Sequence, residues 1–215
     1  KNTHHIVTIF LLIFLLGCSS TNGPIPEFIQ FYDAGQNSFS AGQYDRALDN
    51  YKKSLAIIEE QKEPINKSTA TVLSAMALTH KIKGDVATAE LLYKRSLVIR
   101  EEVYGKTHPS LATTLNELAA LYQEQGKQEQ AAPLYARSLE ILKDLAGEDQ
   151  DSVGNLVNNL AGIYIRQGKL PAARSLLELG LAANEQTLGA DHIDVAQSLN
   201  NLAELYRLQN DDGNA

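Results

Sequence analysis

The sequence predicts an all-α protein, an α-solenoid (superhelix) of stacked helical hairpins. Three observations carry that prediction. In the stretch from Ala112 to Gly147, Leu115, Leu118, Ala119 and Tyr122 fall at i, i+3, i+4 and i+7, one apolar stripe of a helix. The stripe breaks at Gly126-Lys127 and restarts with Ala131, Leu134, Tyr135, Leu139 and Leu142. Two amphipathic helices joined at a glycine form a hairpin that cannot bury both faces by itself. Finally, the hairpin recurs every 42 residues: Gly42, Gly84, Gly126 and Gly168; Ala47, Ala89, Ala131, Ala173 and Ala215; Leu55, Leu97, Leu139 and Leu181. Registers held over most of a chain define one elongated array in which each unit packs on its neighbours.

The first segment, residues 1–17, is of another kind. A lysine and a short polar lead precede an unbroken apolar run, Ile6 to Leu16, followed by Gly17-Cys18-Ser19-Ser20. As a helix the run reaches roughly 16 Å, against a hydrocarbon core of about 30 Å, so it is too short to span. It has the n-region and h-region of a bacterial secretory signal. Leu15-Leu16-Gly17-Cys18 resembles the lipobox of bacterial lipoproteins. That resemblance implies a signal peptide over 1–17, lipidation at Cys18 and a lipid-anchored protein in the bacterial cell envelope. Ser19 after the cysteine resembles outer-membrane sorting, with the folded part facing the periplasm. Leu16 departs from the small residue usual at its position. The alternatives are an ordinary secretory signal, or an uncleaved anchor with an incidental cysteine. Residues 18–26, rich in Ser, Thr, Asn, Gly and Pro, read as a linker.

The array occupies 27–215. Unit one, about Glu27 to Glu63, is the least regular copy: Phe28, Phe31, Tyr32 and Phe39 line its first helix, and polar Ser38 stands where later copies have Tyr122, Tyr164 and Tyr206. An atypical terminal copy is expected of a cap. Units two to four run over 68–105, 109–147 and 152–189. Gly105 and Gly189 close second helices, Pro109 opens a first helix, and Pro171 and Pro133 lie early in second helices. A fifth first-helix spans about Ile193 to Leu208, and the sequence then stops within a repeat. Unpaired, that helix is expected to expose part of its Leu202/Tyr206 face. A row of small residues, Gly35, Ala77, Ala119, Ala161 and Ala203, lets each first helix approach its second closely.

The order Leu115, Leu118, Ala119, Tyr122, Gly126, Ala131, Tyr135, Ser138, Leu139 resembles the tetratricopeptide repeat (TPR). The family's basic period is 34 residues. The 42-residue step here, with LNNLAELY at 199–206 and LGADHIDVA at 188–196, looks like the kinesin-light-chain type. The chain has no tryptophan, so the Trp of the family's first large position is absent from the row Phe31, Leu73, Leu115, Val157 and Leu199.

The resemblance implies a concave face lined by first helices that holds a peptide segment. Stepping by 42 places Ser74, Asn116, Asn158 and Asn200 on it, at a position where tetratricopeptide domains often hold an asparagine against a bound peptide backbone. An amide suits that work, since it offers a donor and an acceptor to a peptide unit of any sequence. One turn on are Lys81, Gln123, Ile165 and Arg207, with Arg166 beside them; the two arginines are placed to receive a carboxylate. The competing reading has the asparagines bonding between neighbouring helices and the arginines simply solvated.

Other chemistry fails on inspection. A net charge of −7, from 26 acidic and 19 basic residues, argues against nucleic acid, and one cysteine permits neither an intrachain disulfide nor a cysteine metal site. Gly105-Lys106-Thr107 resembles the tail of a P-loop, but Arg100 stands where the first glycine belongs. His108 and His192 occupy matching loop positions that suit capping better than metal. Glu59-Glu60 and Glu101-Glu102 read as solvated. No enzyme, metal or cofactor is expected. The expected function is a membrane-tethered scaffold or adaptor that binds a protein segment; the alternative is a self-associating array, or the first part of a longer protein with an output domain.

Overall fold

The structure is a computed structural model that describes residues 26–60, 66–143 and 150–212. The signal-like segment, Cys18 and all of the linker except Pro26 lie outside the described residues. Within them the chain forms α1 (Glu27–Ser40), α2 (Tyr44–Glu60), α3 (Lys67–Ile82), α4 (Val86–Tyr104), α5 (Pro109–Glu124), α6 (Gln128–Lys143), α7 (Gln150–Arg166), α8 (Leu170–Leu188) and α9 (Ile193–Asp212). The helices α1, α3, α5 and α7 each pack on the helix that follows, each even-numbered helix packs on the first helix of the next unit, and α9 lies on α8. The expected all-α solenoid is therefore the observed fold.

The glycine register is explained at the hairpin turns. After α5, the Gly126 amide donates to Gln123 O (2.9 Å) and the Lys127 amide to Tyr122 O (2.9 Å), closing the helix end with Gly126 at φ 74°. A left-handed residue at that point favours glycine. Gly42, Gly84 and Gly168 do the same work one repeat apart, at φ 73°, 82° and 70°. First helices are capped by their own loops. Asn66 accepts from the Thr69 amide at 2.9 Å, and His108 Nδ1 accepts from the Ser110 amide at 3.2 Å, just ahead of Pro109. His192 Nδ1 accepts from the Asp194 amide at 3.2 Å. The two matched histidines thus serve as caps, and His108 also stacks on Tyr104.

Inside each hairpin the small row meets a bulky one. Ala77, Ala119 and Ala161 are wholly buried, as are Tyr51, Tyr93 and Tyr135, with Leu177 next in that row. A Cβ on Gly35 would collide with the Tyr51 ring, so the first copy needs glycine where the others take alanine. Burial raises the phenol of Tyr135 to about 12 and that of Tyr93 further, so these rings are uncharged core.

A polar clamp is repeated with the core. Ser54 Oγ donates to Phe28 O (2.7 Å), Ser96 Oγ to Ala70 O (2.8 Å) and Ser138 Oγ to Ala112 O (2.9 Å). In the sequence these serines are merely small; in the fold they tie each second helix to its first. Unit four departs from the pattern. Gly180 replaces the serine, and a Cβ there would stand 2.8 Å from Val157 Cγ1. Asn184 enters the space above Gly154 and donates to Ser198 Oγ at 3.1 Å, linking α8 to α9.

Successive second helices are joined on the outside. Arg95 Nη2 reaches Glu59 Oε1 at 3.0 Å, and one repeat later Arg137 pairs with Glu101 and donates to Lys106 O at 3.0 Å. Glu59 and Glu101 are therefore engaged rather than simply solvated. The acids sit one hairpin back from the arginines, and only the stacking brings them together.

On α9 the exposed strip is narrower than its sequence implies. Leu202 is 7% exposed and lies with Leu205 against Ala173 and Leu177 of α8. Leu199 and Tyr206, at 50% and 40%, are the large apolar residues left open on the face that α1, α3, α5 and α7 turn to their second helices.

Candidate functional site

The sides of the first helices turned away from the second helices form the candidate surface. Two side-chain bonds mark where successive first helices meet along it. Lys81 Nζ on α3 pairs with Glu124 Oε1 on α5 at 2.9 Å. Asn201 Nδ2 on α9 donates to Asn158 Oδ1 on α7 at 3.0 Å.

The predicted residues divide by environment. Asn200 is exposed and available. Asn158 is half-buried, its oxygen taken by Asn201, which in turn accepts from Gln197 Nε2 at 3.2 Å. Asn116 is half-buried, and its Oδ1 is enclosed with no hydrogen-bond donor among the described residues; so is Oε1 of Gln123, seven residues along the same helix. Asn159 stands one repeat before Asn201, the register from which Asn158 receives its bond. Ser74 Oγ lies 2.8 Å from Ser96 Oγ and so joins the clamp within its own hairpin.

The cations divide as well. Arg207 is held by Glu204, with bonds of 3.0 and 2.7 Å. Arg166 is exposed and folds back over Gly162, where a Cβ would lie 3.6 Å from its Nη1. Sequence reasoning missed Asn201, Gly162 and Asp33. The doubled asparagine of LVNNLAG and LNNLAEL was the available signal for Asn201, since a 43-residue step links Asn158 to it. Asp33 on α1 carries a carboxyl raised above its ordinary value by desolvation.

Two other features lie apart from this surface. An open cleft of about 370 Å³ is lined by Glu101, Lys106, Thr107, Arg137, Glu140 and Ile141, but its guanidinium is committed to Glu101 and to the Lys106 carbonyl. Arg100 replaces the apolar residues Ile58 and Leu142 of its row, and burial draws its guanidinium below the ordinary value. Among the described residues no three His, Cys, Asp or Glu side chains gather as a metal site, and no helix is long and apolar enough to cross a membrane.

Comparison with known proteins agrees with this architecture. The family model for the tetratricopeptide repeat matches residues 31–97, 68–144 and 152–215. No curated protein matches the chain. Among solved structures, one described as a Podosopora anserina kinesin light chain with nearly identical TPR-like repeats is 22% identical, with a TM-score of 0.72. That likeness covers 86% of this chain and 87% of the other. BtubC (BKLC) from P. vanneervenii is 23% identical with a TM-score of 0.74, over 85% of this chain and 72% of that one. At these identities the likeness concerns the fold alone.

Proposed function

Since the chain belongs to the tetratricopeptide repeat family, whose fold serves protein–protein interaction, we propose that it is a scaffold whose first-helix face binds an extended segment of a partner protein. The supporting observation is the amide row on that face: exposed Asn200, the Asn158–Asn201 pair and half-buried Asn116 and Gln123. Backbone amides are the donors every peptide carries, so such a row suits segments of varied sequence. The scaffold is tethered in the bacterial envelope through a lipid on Cys18, a reading supported by the apolar run and the LLGC motif.

The binding test is affinity capture from envelope extract with the full chain beside an Asn116/Asn158/Asn200→Ala variant of matched melting temperature. Each lost amide contact is expected to weaken a captured partner by about 0.5–1.5 kcal/mol. Equal capture by both chains assigns the row to stacking alone. For the tether, Cys18→Ala is expected to abolish incorporation of labelled fatty acid in a bacterial host; unchanged labelling rejects the anchor.

A second reading, association of arrays through α9, is favoured by the open strip of Leu199, Ala203 and Tyr206. Sedimentation of the chain beside Leu199→Glu tests it: a dimer is expected for the parent and a monomer for the variant.

A further inference from the structure

The outer side of the third unit carries a cleft that the scaffold role leaves unused. It lies between the α4–α5 loop and α6, with a volume of about 370 Å³ and walls of Glu101, Lys106, Thr107, Arg137, Glu140 and Ile141. Arg137 builds it. Its guanidinium pairs with Glu101 and donates to the Lys106 carbonyl oxygen at 3.0 Å, which fixes the loop against the helix. Ile141 is a buried apolar wall. The Lys106 ammonium and the Glu140 carboxylate are exposed, with no ion-pair or hydrogen-bond partner among the described residues, and they do not pair with each other.

These charges depart from the repeat. One unit earlier Arg95 and Glu59 make the same bridge at 3.0 Å and Ile99 stands for Ile141, but Pro64, Ile65 and Val98 hold the places of Lys106, Thr107 and Glu140. One unit later Leu179 and Lys143 replace Arg137 and Glu101, and the bridge cannot form. Three apolar residues are thus exchanged for a base, a hydroxyl and an acid on one retained frame. The frame stacks with either set, so stacking does not call for the exchange.

We propose that this cleft binds a small zwitterion of the α-amino-acid class, its carboxylate held by Lys106 and Thr107 and its ammonium by Glu140. The two acids and two bases of the walls cancel, so the cleft favours a ligand of both signs over a simple anion or cation. Lysine and threonine supply donors and the glutamate supplies acceptors, the complement of one carboxylate and one ammonium. Clefts of about 300 Å³ and more suit small molecules. The wall at Ile141 is the side open to an apolar stem. This site is separate from the first-helix face and does not depend on partner binding there.

The test is calorimetric titration of the full chain with each standard amino acid, beside its deaminated acid and its decarboxylated amine. At least one amino acid is expected to bind about tenfold more tightly than either of its single-charge counterparts. Lys106→Met and Glu140→Gln are each expected to weaken that binding about tenfold. Saturating amino acid is expected to slow tryptic cleavage after Lys106. Both side chains are exposed and unpaired, and equal thermal melts establish that the variants fold. An acid or an amine bound as tightly as the whole amino acid marks a simple ion site and overturns the proposal. An amino acid held equally by the parent and both variants, or one that leaves cleavage after Lys106 unchanged, sits elsewhere and overturns it too. Binding of none of the amino acids rejects the site outright.

Discussion

The Ser138 hydroxyl donates to the Ala112 carbonyl oxygen at 2.9 Å, in a fully enclosed contact between the two helices of one hairpin. Ser96 and Ser54 repeat the bond one and two units earlier. The clamp works because serine is small enough for close helix approach and still carries a donor. Replacing Ser138 by alanine keeps the packing and removes the bond, so a loss of about 0.5–1.5 kcal/mol is expected in urea denaturation. Ser138→Val should cost more, because the added methyl groups have no space.

Unit four shows what the clamp excludes. Restoring serine at Gly180 brings its Cβ to 2.8 Å from Val157 Cγ1, so Gly180→Ser alone should destabilise the array by about 1–3 kcal/mol. Combining it with Val157→Ala should recover part of that loss. Additive losses in the two single variants and the double variant would show that the residues do not share this space.

Gly162 behaves in the opposite way. Among the described residues, an added Cβ there would meet the Arg166 guanidinium, at ordinary contact distance. Gly162→Ala should therefore raise the melting temperature, through a gain of about 0.5–1 kcal/mol from helix propensity. In the small row the contrary holds: Ala161 is wholly buried, and Ala161→Leu should cost about 1–3 kcal/mol, read as a lower melting temperature.

Acid should loosen the junction between the second and third units. The carboxylate of Glu90 accepts from Lys94 Nζ (2.6 Å) and Tyr122 Oη (3.0 Å), and its pKa is lowered chiefly by the lysine bond. A lowered folded-state pKa contributes stability that is present above the unfolded value and lost as pH falls through the folded one. Thermal melts from pH 6 down to pH 3 should therefore converge for the parent and Glu90→Gln, with the parent the more stable at pH 6. A parallel pair of pH profiles would show that the carboxylate contributes nothing.

Arg137 joins two units and a loop through Glu101 and the Lys106 carbonyl. Both side chains are about a third exposed, so Arg137→Ala should cost no more than about 1 kcal/mol globally. Its clearer effect should be local: faster tryptic cleavage after Lys106, followed by mass spectrometry, because the loop loses its bond.

Much of this was legible in the chain because a repeat states each requirement several times. Gly126 alone marks a turn. With Gly42, Gly84 and Gly168 it marks a left-handed helix end in every hairpin. The alanine and tyrosine rows likewise follow from periodicity, since a 3.6-residue stripe dictates which face is buried. The candidate site was legible only as a set of positions. Glu204, three residues before Arg207, is a pairing the sequence already offers, whereas the enclosure of Asn116 Oδ1 and the meeting of Asn158 with Asn201 are not.

The sequence by itself thus determined the helices, their turns, the hairpin unit and the all-α stacked array, because these depend on local geometry and on burying one face of each helix. Tertiary structure alone decided which polar side chains pair between helices. Asn158 finds Asn201, Arg137 finds Glu101 and Ser138 finds the Ala112 carbonyl across 26 to 43 residues of chain. Such bonds depend on distances of a few ångströms between helices, and only the packing of one hairpin on the next sets those distances.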